Sequence, residues 1–189
     1  MKPVRAFIAI ELPPETRKQL SEIQSEIKKQ IRDARMSWVN PSNIHLTLQF
    51  LGDMDVGQIS NIESACAFLK NTSVFDIHLA HLGFFPNPRR PRVFWCGYDE
   101  HPTLTEMHSR MANELLQFGL TADEKKFTPH LTLARIKEIS MEESKNFSLE
   151  VEKIHFDVSH PVRQIVCFQS TLSRVGSIYT PLWTLRLKE

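Results

Sequence analysis

The sequence predicts an α+β fold built on antiparallel sheets, and three observations point there. Apolar runs with strand character are interspersed with amphipathic helical segments along the whole chain. Several of these runs lie close together as hairpin-like pairs, the arrangement of antiparallel strands. No GxGxxG or Walker loop follows any of them, as a doubly wound parallel sheet that holds nucleotides would require.

The elements follow in order. Arg5 to Leu12 reads as a buried strand stopped by Pro13 and Pro14. From Glu15 to Ile31 the apolar residues Leu20, Ile23, Ile27 and Ile31 recur at helical steps among charges, with Pro14 placed at the helix start. Ile44 to Leu51 alternates and ends at Gly52-Asp53, and Val56 to Leu69 has helical spacing through Ile59, Ile62, Ala65, Cys66 and Leu69. Phe75 to Phe85 and Val93 to Tyr98 form a long-looped hairpin, because the prolines from Pro86 to Pro91 exclude regular structure between them. Thr103 to Phe118 is helical, with Leu104, Met107, Met111, Leu115 and Phe118 on one side and Gly119 ending it. Leu131 to Ile136 is a short strand, Ser140 to Phe147 a polar helix, and Ile154 to Val158, Ile165 to Leu172 and Leu182 to Leu187 are the closing strands.

Composition bounds the function. At 189 residues with 41% hydrophobic and 24% charged, the chain is read as one compact unit over residues 1–189 that buries its own core. Lys plus Arg number 23 against 22 Asp plus Glu, so the net charge of +1 carries no global footprint for nucleic acid, and any RNA contact is local. Cys66, Cys96 and Cys167 are an odd set without CxxC spacing, each in an apolar stretch, which fits free thiols in a reducing compartment. The apolar run in MKPVRAFIAIELPPE is too short for a signal-peptide core, so a cytoplasmic protein without a membrane segment is expected.

The most informative feature is an internal repeat. His45-Leu46-Thr47-Leu48 recurs unaltered as His130-Leu131-Thr132-Leu133, each copy opening an apolar strand with a proline just upstream, Pro41 and Pro129. Residues two apart on a strand face the same side, so each histidine projects with its threonine while the leucines face the core. One HxT strand is most simply a half-buried histidine. Two in equivalent context favour a pseudo-twofold pair that meets at one cleft. Cleaving a phosphodiester with water needs a base for the water proton and an acid for the leaving oxygen, and two imidazoles supply both near neutral pH. The threonine hydroxyls would donate hydrogen bonds to the non-bridging phosphate oxygens.

The pair of HxTx motifs resembles the hallmark of the two-histidine (2H) phosphoesterase superfamily. The segments RAFIAIELP, NIHLTLQFLG, PRVFWCG, FTPHLTLAR and FQSTLSRVGSIYTPL are similar, in this order, to its RNA 2',3'-cyclic phosphodiesterase branch, the ThpR or LigT type. The resemblance implies a bilobal fold: a pseudo-twofold pair of antiparallel sheets with helices on the outer faces and a central groove. It implies opening of a terminal RNA 2',3'-cyclic phosphate to a 2'-phosphate with no metal or other cofactor. His45 is then the proton donor, His130 the proton acceptor, and Thr47 and Thr132 bind substrate. The implied partners are RNA ends on tRNA fragments or oligonucleotides, met by a monomer. From the residues alone, a pseudo-symmetric pair is open to either assignment of acid and base.

The residue five beyond each histidine differs between the copies, Phe50 in the first and Arg135 in the second. An aromatic there suits base stacking and a guanidinium suits phosphate. Strict alternation points both away from their histidines, so a bulge or strand end is required. The basic stretch from Arg89 to Arg92 reads as a solvated loop, and His78 and His81 as ordinary strand residues without metal ligands beside them. Three alternatives stay open: 2'–5' RNA ligation, the same chemistry reversed; a metallohydrolase with histidine ligands; and a module that binds RNA ends without turnover.

Overall fold

In the computed structural model, which describes residues 3–120, 127–174 and 176–189, the elements run β1 (Val4–Glu11), α1 (Pro14–Gln30), β2 (Arg35–Trp38), β3 (His45–Met54), α2 (Val56–Ala65), β4 (Phe75–Phe85), β5 (Val93–Tyr98), α3 (Pro102–Leu115), β6 (His130–Glu138), α4 (Met141–Glu152), β7 (Val158–Val162), β8 (Gln164–Ser173) and β9 (Gly176–Arg186). Pro14 opens α1 as expected, and Gly119 ends the turn after α3 with φ 74°, a left-handed geometry that glycine adopts without a Cβ clash. Asp55 caps α2 through Gly57 N, and Ser140 caps α4 through Glu143 N.

All the strands pair antiparallel in the order β7-β4-β5-β6-β3-β1-β8-β9, with β2 against β6. The order reads as two four-stranded halves, each led by one HLTL strand, joined where β3 meets β6. Leu46 opposite Leu131 is the only pair in that joint's register. The two sheets of the expected pseudo-twofold pair are therefore continuous with each other. The main core runs through both halves, with Leu46, Leu131 and Leu133 fully buried and α1 to α4 contributing Leu20, Ile62, Met111 and Phe147. A second, smaller cluster of Phe7, Ala9, Val166 and Phe168 with Tyr179 lies apart from this core.

Three boundaries differ from expectation. The strand read at Ile154 to Val158 is absent: residues 154–157 lie outside regular structure, and the strand is Val158–Val162. Pro161 is accommodated because β7 is an edge strand, where a missing N–H on the outer side costs no ladder bond. The short β2 escaped notice because four residues, Arg-Met-Ser-Trp, carry too little alternation. Strand β9 begins well before Leu182, at Gly176, with Pro181 accommodated at a register shift opposite Phe168.

Burial defines the roles of the other singled-out residues. Cys66, Cys96 and Cys167 are buried free thiols, and burial raises Cys66 and Cys167 to about 12. His78 bridges Asp99 and Asp157 at 2.7 and 2.8 Å on the surface, and these hydrogen bonds raise its pKa. No helix among the described residues is long and apolar enough to cross a membrane.

A buried glutamine secures the HLTL strand of the second half. Gln24 of α1 is 1% exposed, and its Nε2 donates to Val39 O and Leu133 O, both at 2.9 Å. Leu133 lies at a register shift, and its carbonyl also accepts from Val39 N at 2.9 Å. Gln24→Leu would leave buried carbonyls short of a donor, so denaturant unfolding should show a loss of about 1–3 kcal/mol. A loss near zero would show that water replaces the amide there.

Candidate active site

The two histidines are held in the same way. His45 Nδ1 lies 2.7 Å from Asn43 O, and His130 Nδ1 lies 2.7 Å from Thr128 O. A carbonyl only accepts, so each Nδ1 carries the hydrogen, and in the neutral ring the lone pair sits on Nε2. Each imidazole is thus set by the backbone two residues upstream and presents Nε2 for proton transfer.

Register places the four motif side chains around one point. Extending the antiparallel pair Leu46–Leu131 by one residue each way sets His45 across from Thr132 and Thr47 across from His130. The leucines point into the core, while the histidines and threonines are half-buried on the opposite face. Aromatic rings fix the imidazoles from the sides. Phe7 stacks on His45 with centroids 4.7 Å apart, and Tyr179 meets it edge-on at 5.2 Å. Phe85 meets His130 edge-on at 4.9 Å and stacks on Trp95.

The residues five beyond the histidines are on the same face after all. Between β1 and β3 the register passes from Ala9–Thr47 to Ile8–Gln49, skipping Leu48. Between β5 and β6 it passes from Trp95–Thr132 to Phe94–Ala134, skipping Leu133. Both bulges fall three residues after the histidine, so the repeat extends to its irregularity. The extra residue shifts the alternation: Leu133 and Ala134 are both buried, and Arg135 emerges exposed on the side of His130 and Thr132. Phe50 is 69% exposed and pairs with Phe7, its ring 6.5 Å from that groove-side phenyl. Arg135 has no ion pair among the described residues, so the surface salt bridge that would otherwise explain it is missing.

Sequence reasoning missed the groups that hold the rings. Asn43 serves twice, its carbonyl accepting from His45 while its Nδ2 donates to Ser177 O at 2.7 Å, which ties the loop before β3 to β9. The carbonyl function carries no residue signature, so no motif could have announced it. No group of three or more His, Cys, Asp or Glu among the described residues is arranged to hold a metal ion. Two open depressions lie elsewhere, one of about 770 Å³ along α1 and one of about 270 Å³ lined by His81, Glu152 and His155. Neither includes His45 or His130; the site is recognised by its converging side chains.

Burial pushes the His45 ring below the usual imidazole value of 6.5, more than the Asn43 carbonyl raises it. The folded state therefore resists a proton that the unfolded chain accepts, and this ring contributes to a loss of stability as the pH falls below about 6.5. In NMR spectra of the free protein, His45 should titrate below 6.5 as an Nδ1–H tautomer, and a titration at or above that value would contradict the burial.

Comparison with known proteins agrees with this architecture. The LigT like phosphoesterase family matches residues 10–95 and 98–179, two segments that each contain one HLTL strand. An RNA 2',3'-cyclic phosphodiesterase of Thermotoga maritima is 34% identical over 186 residues, covering 95% of this chain and 94% of that protein. Another from Methanothermobacter thermautotrophicus is 33% identical, covering 97% and 99%. The crystal structure of E. coli LigT complexed with 3'-AMP superposes with a TM-score of 0.81 at 25% identity over the full length of both chains.

Proposed function

The chain belongs to the LigT-like phosphoesterase family, and from that premise we propose that it hydrolyses RNA 2',3'-cyclic phosphate ends to 2'-phosphates with His45 and His130 as its acid–base pair. The observation that carries this reading is the matched pair of Nδ1 hydrogen bonds to backbone carbonyls, which leaves Nε2 of both rings for proton transfer on either side of the Leu46–Leu131 joint.

His130 Nε2 takes a proton from water as the water oxygen attacks phosphorus, and His45 Nε2 gives a proton to the departing 3'-oxygen. The P–O3' bond breaks as the new P–O bond forms, and the 2'-ester remains. Thr47 and Thr132 donate to the non-bridging oxygens. Arg135 offsets the charge that builds on them, and Phe50 stacks on the terminal base. A donor must arrive protonated, and the burial of His45 works against that in the free protein. An anionic phosphate between the rings restores the imidazolium by the opposite-charge effect. The chain acts as a single-domain monomer, and its three free buried thiols suit a reducing cytoplasm.

The test is a short RNA ending in a 2',3'-cyclic phosphate, incubated with EDTA present. Wild type should form the 2'-phosphate at an undiminished rate, and His45→Ala and His130→Ala should each lose about a hundredfold or more. A 3'-phosphate product, dependence on a metal, or variants as active as wild type would overturn the proposal.

A further inference from the structure

The pseudo-twofold relation puts one residue beside each histidine on the neighbouring strand, and the two differ in charge. Glu11 pairs with His45 across β1 and β3, whereas Gly97 pairs with His130 across β5 and β6. On β1, Ala6, Ile8 and Ile10 enter the main core while Phe7 and Ala9 lie in the separate groove-side cluster, so alternation puts Glu11 on the side of His45. Opposed side chains on adjacent antiparallel strands have Cβ atoms about 4.5–5.5 Å apart. The carboxylate is fixed by other partners: Oε2 accepts from Gln164 Nε2 at 3.1 Å, and Oε1 lies 3.7 Å from Arg17 Nη2. These two partners orient the carboxylate on the His45 side of β1.

Beside His130 the arrangement is the reverse. Gly97 brings no side chain, and a Cβ there would fall 2.6 Å from Nε2 of His81. His81 pairs with Gly97 in turn, so His81, Gly97 and His130 form one row across three strands. The missing Cβ makes room for the His81 imidazole and for the Trp95 ring, whose Cζ3 would also fall 2.6 Å from it. One half thus sets a carboxylate opposite its histidine, and the other sets no acidic group there.

The remaining charged and titratable groups around His45 can be named. Arg17 from α1 contacts Glu11, and both side chains are partly exposed, so solvent screens that pair. Arg186 of β9 stands opposite Gln164, one strand further from His45. Tyr179 touches the ring edge-on, His130 lies diagonally across the joint, and residues 39–44 contribute no charge.

We propose that Glu11 is a positioning residue that biases His45 toward the proton-donor role, and that Gly97 and His81 in the corresponding places leave His130 as the acceptor. This rests on the phosphodiesterase reading and deepens it, since it makes the division of labour between two matched rings a consequence of this chain's own charges. A fixed negative charge beside an imidazole favours imidazolium, and its absence removes that bias.

The test is Glu11→Gln, with Glu11→Asp as the conservative partner. Steady-state kcat/KM on the cyclic-phosphate RNA, followed against pH, should fall in Glu11→Gln by roughly tenfold at neutral and alkaline pH, where a donor that holds its proton less firmly is less often protonated, and should converge with wild type at the acid end. Glu11→Asp should recover most of the loss. A purely structural defect would instead lower the rate by one factor at all pH values, and that result, or no change, would overturn the inference. NMR titration of His45 reads the same charge without turnover: its pKa should be lower in Glu11→Gln than in wild type, and equal values would also overturn it. A wild type that turns over no RNA while His45 still shifts would refute the phosphodiesterase reading and leave the role of Glu11 in place.

Discussion

Everything at this site depends on one backbone pairing, Leu46 opposite Leu131. Both leucines are fully buried, so their side chains hold the joint to the core and turn the flanking histidines and threonines to the other face. A slip by one residue at either strand would carry leucines into the groove and bury the imidazoles. Burying a leucine contributes on the order of 2 kcal/mol, and burying an unpaired imidazole costs more than it gains, so the register has a strong energetic preference. The matched carbonyls of Asn43 and Thr128 then set the rings by hydrogen bonds of equal length.

Symmetry alone would give two interchangeable rings, and the chemistry needs two different ones. The chain breaks the symmetry at the periphery and keeps it at the centre. Both halves keep histidine, threonine, the upstream carbonyl and the bulge three residues on. They diverge on the groove face and on the strands beside the histidines: Phe50 against Arg135, Glu11 against Gly97.

Much of this was legible in the sequence, and the reasons for the misses are physical. The HLTL repeat announced the pair because a period-two pattern with a polar face survives in any sheet that buries the other face. The orientation of Phe50 and Arg135 was not legible, because a bulge is a property of the register between two strands and not of either strand alone. The same limit hid Glu11, whose relation to His45 exists only across β1 and β3. Segment 154–158 misled through Ile154 and Phe156, partly buried residues that pack on the core from a loop, while the true edge strand carried a proline. The joining of two expected sheets through one residue pair is likewise a tertiary fact that composition and periodicity do not encode.

The central claim is that two matched imidazoles act on one phosphorus in opposite proton roles, and a change of leaving group tests it most directly. A 3'-deoxynucleoside 2'-(4-nitrophenyl phosphate) releases a phenolate that needs no proton. On this substrate His45→Ala should approach the wild-type rate, because the donor is dispensable, while His130→Ala should remain as impaired as on RNA, because water still needs a base. Rescue of His130→Ala instead, or of neither variant, would contradict the assignment of His45 as acid and His130 as base.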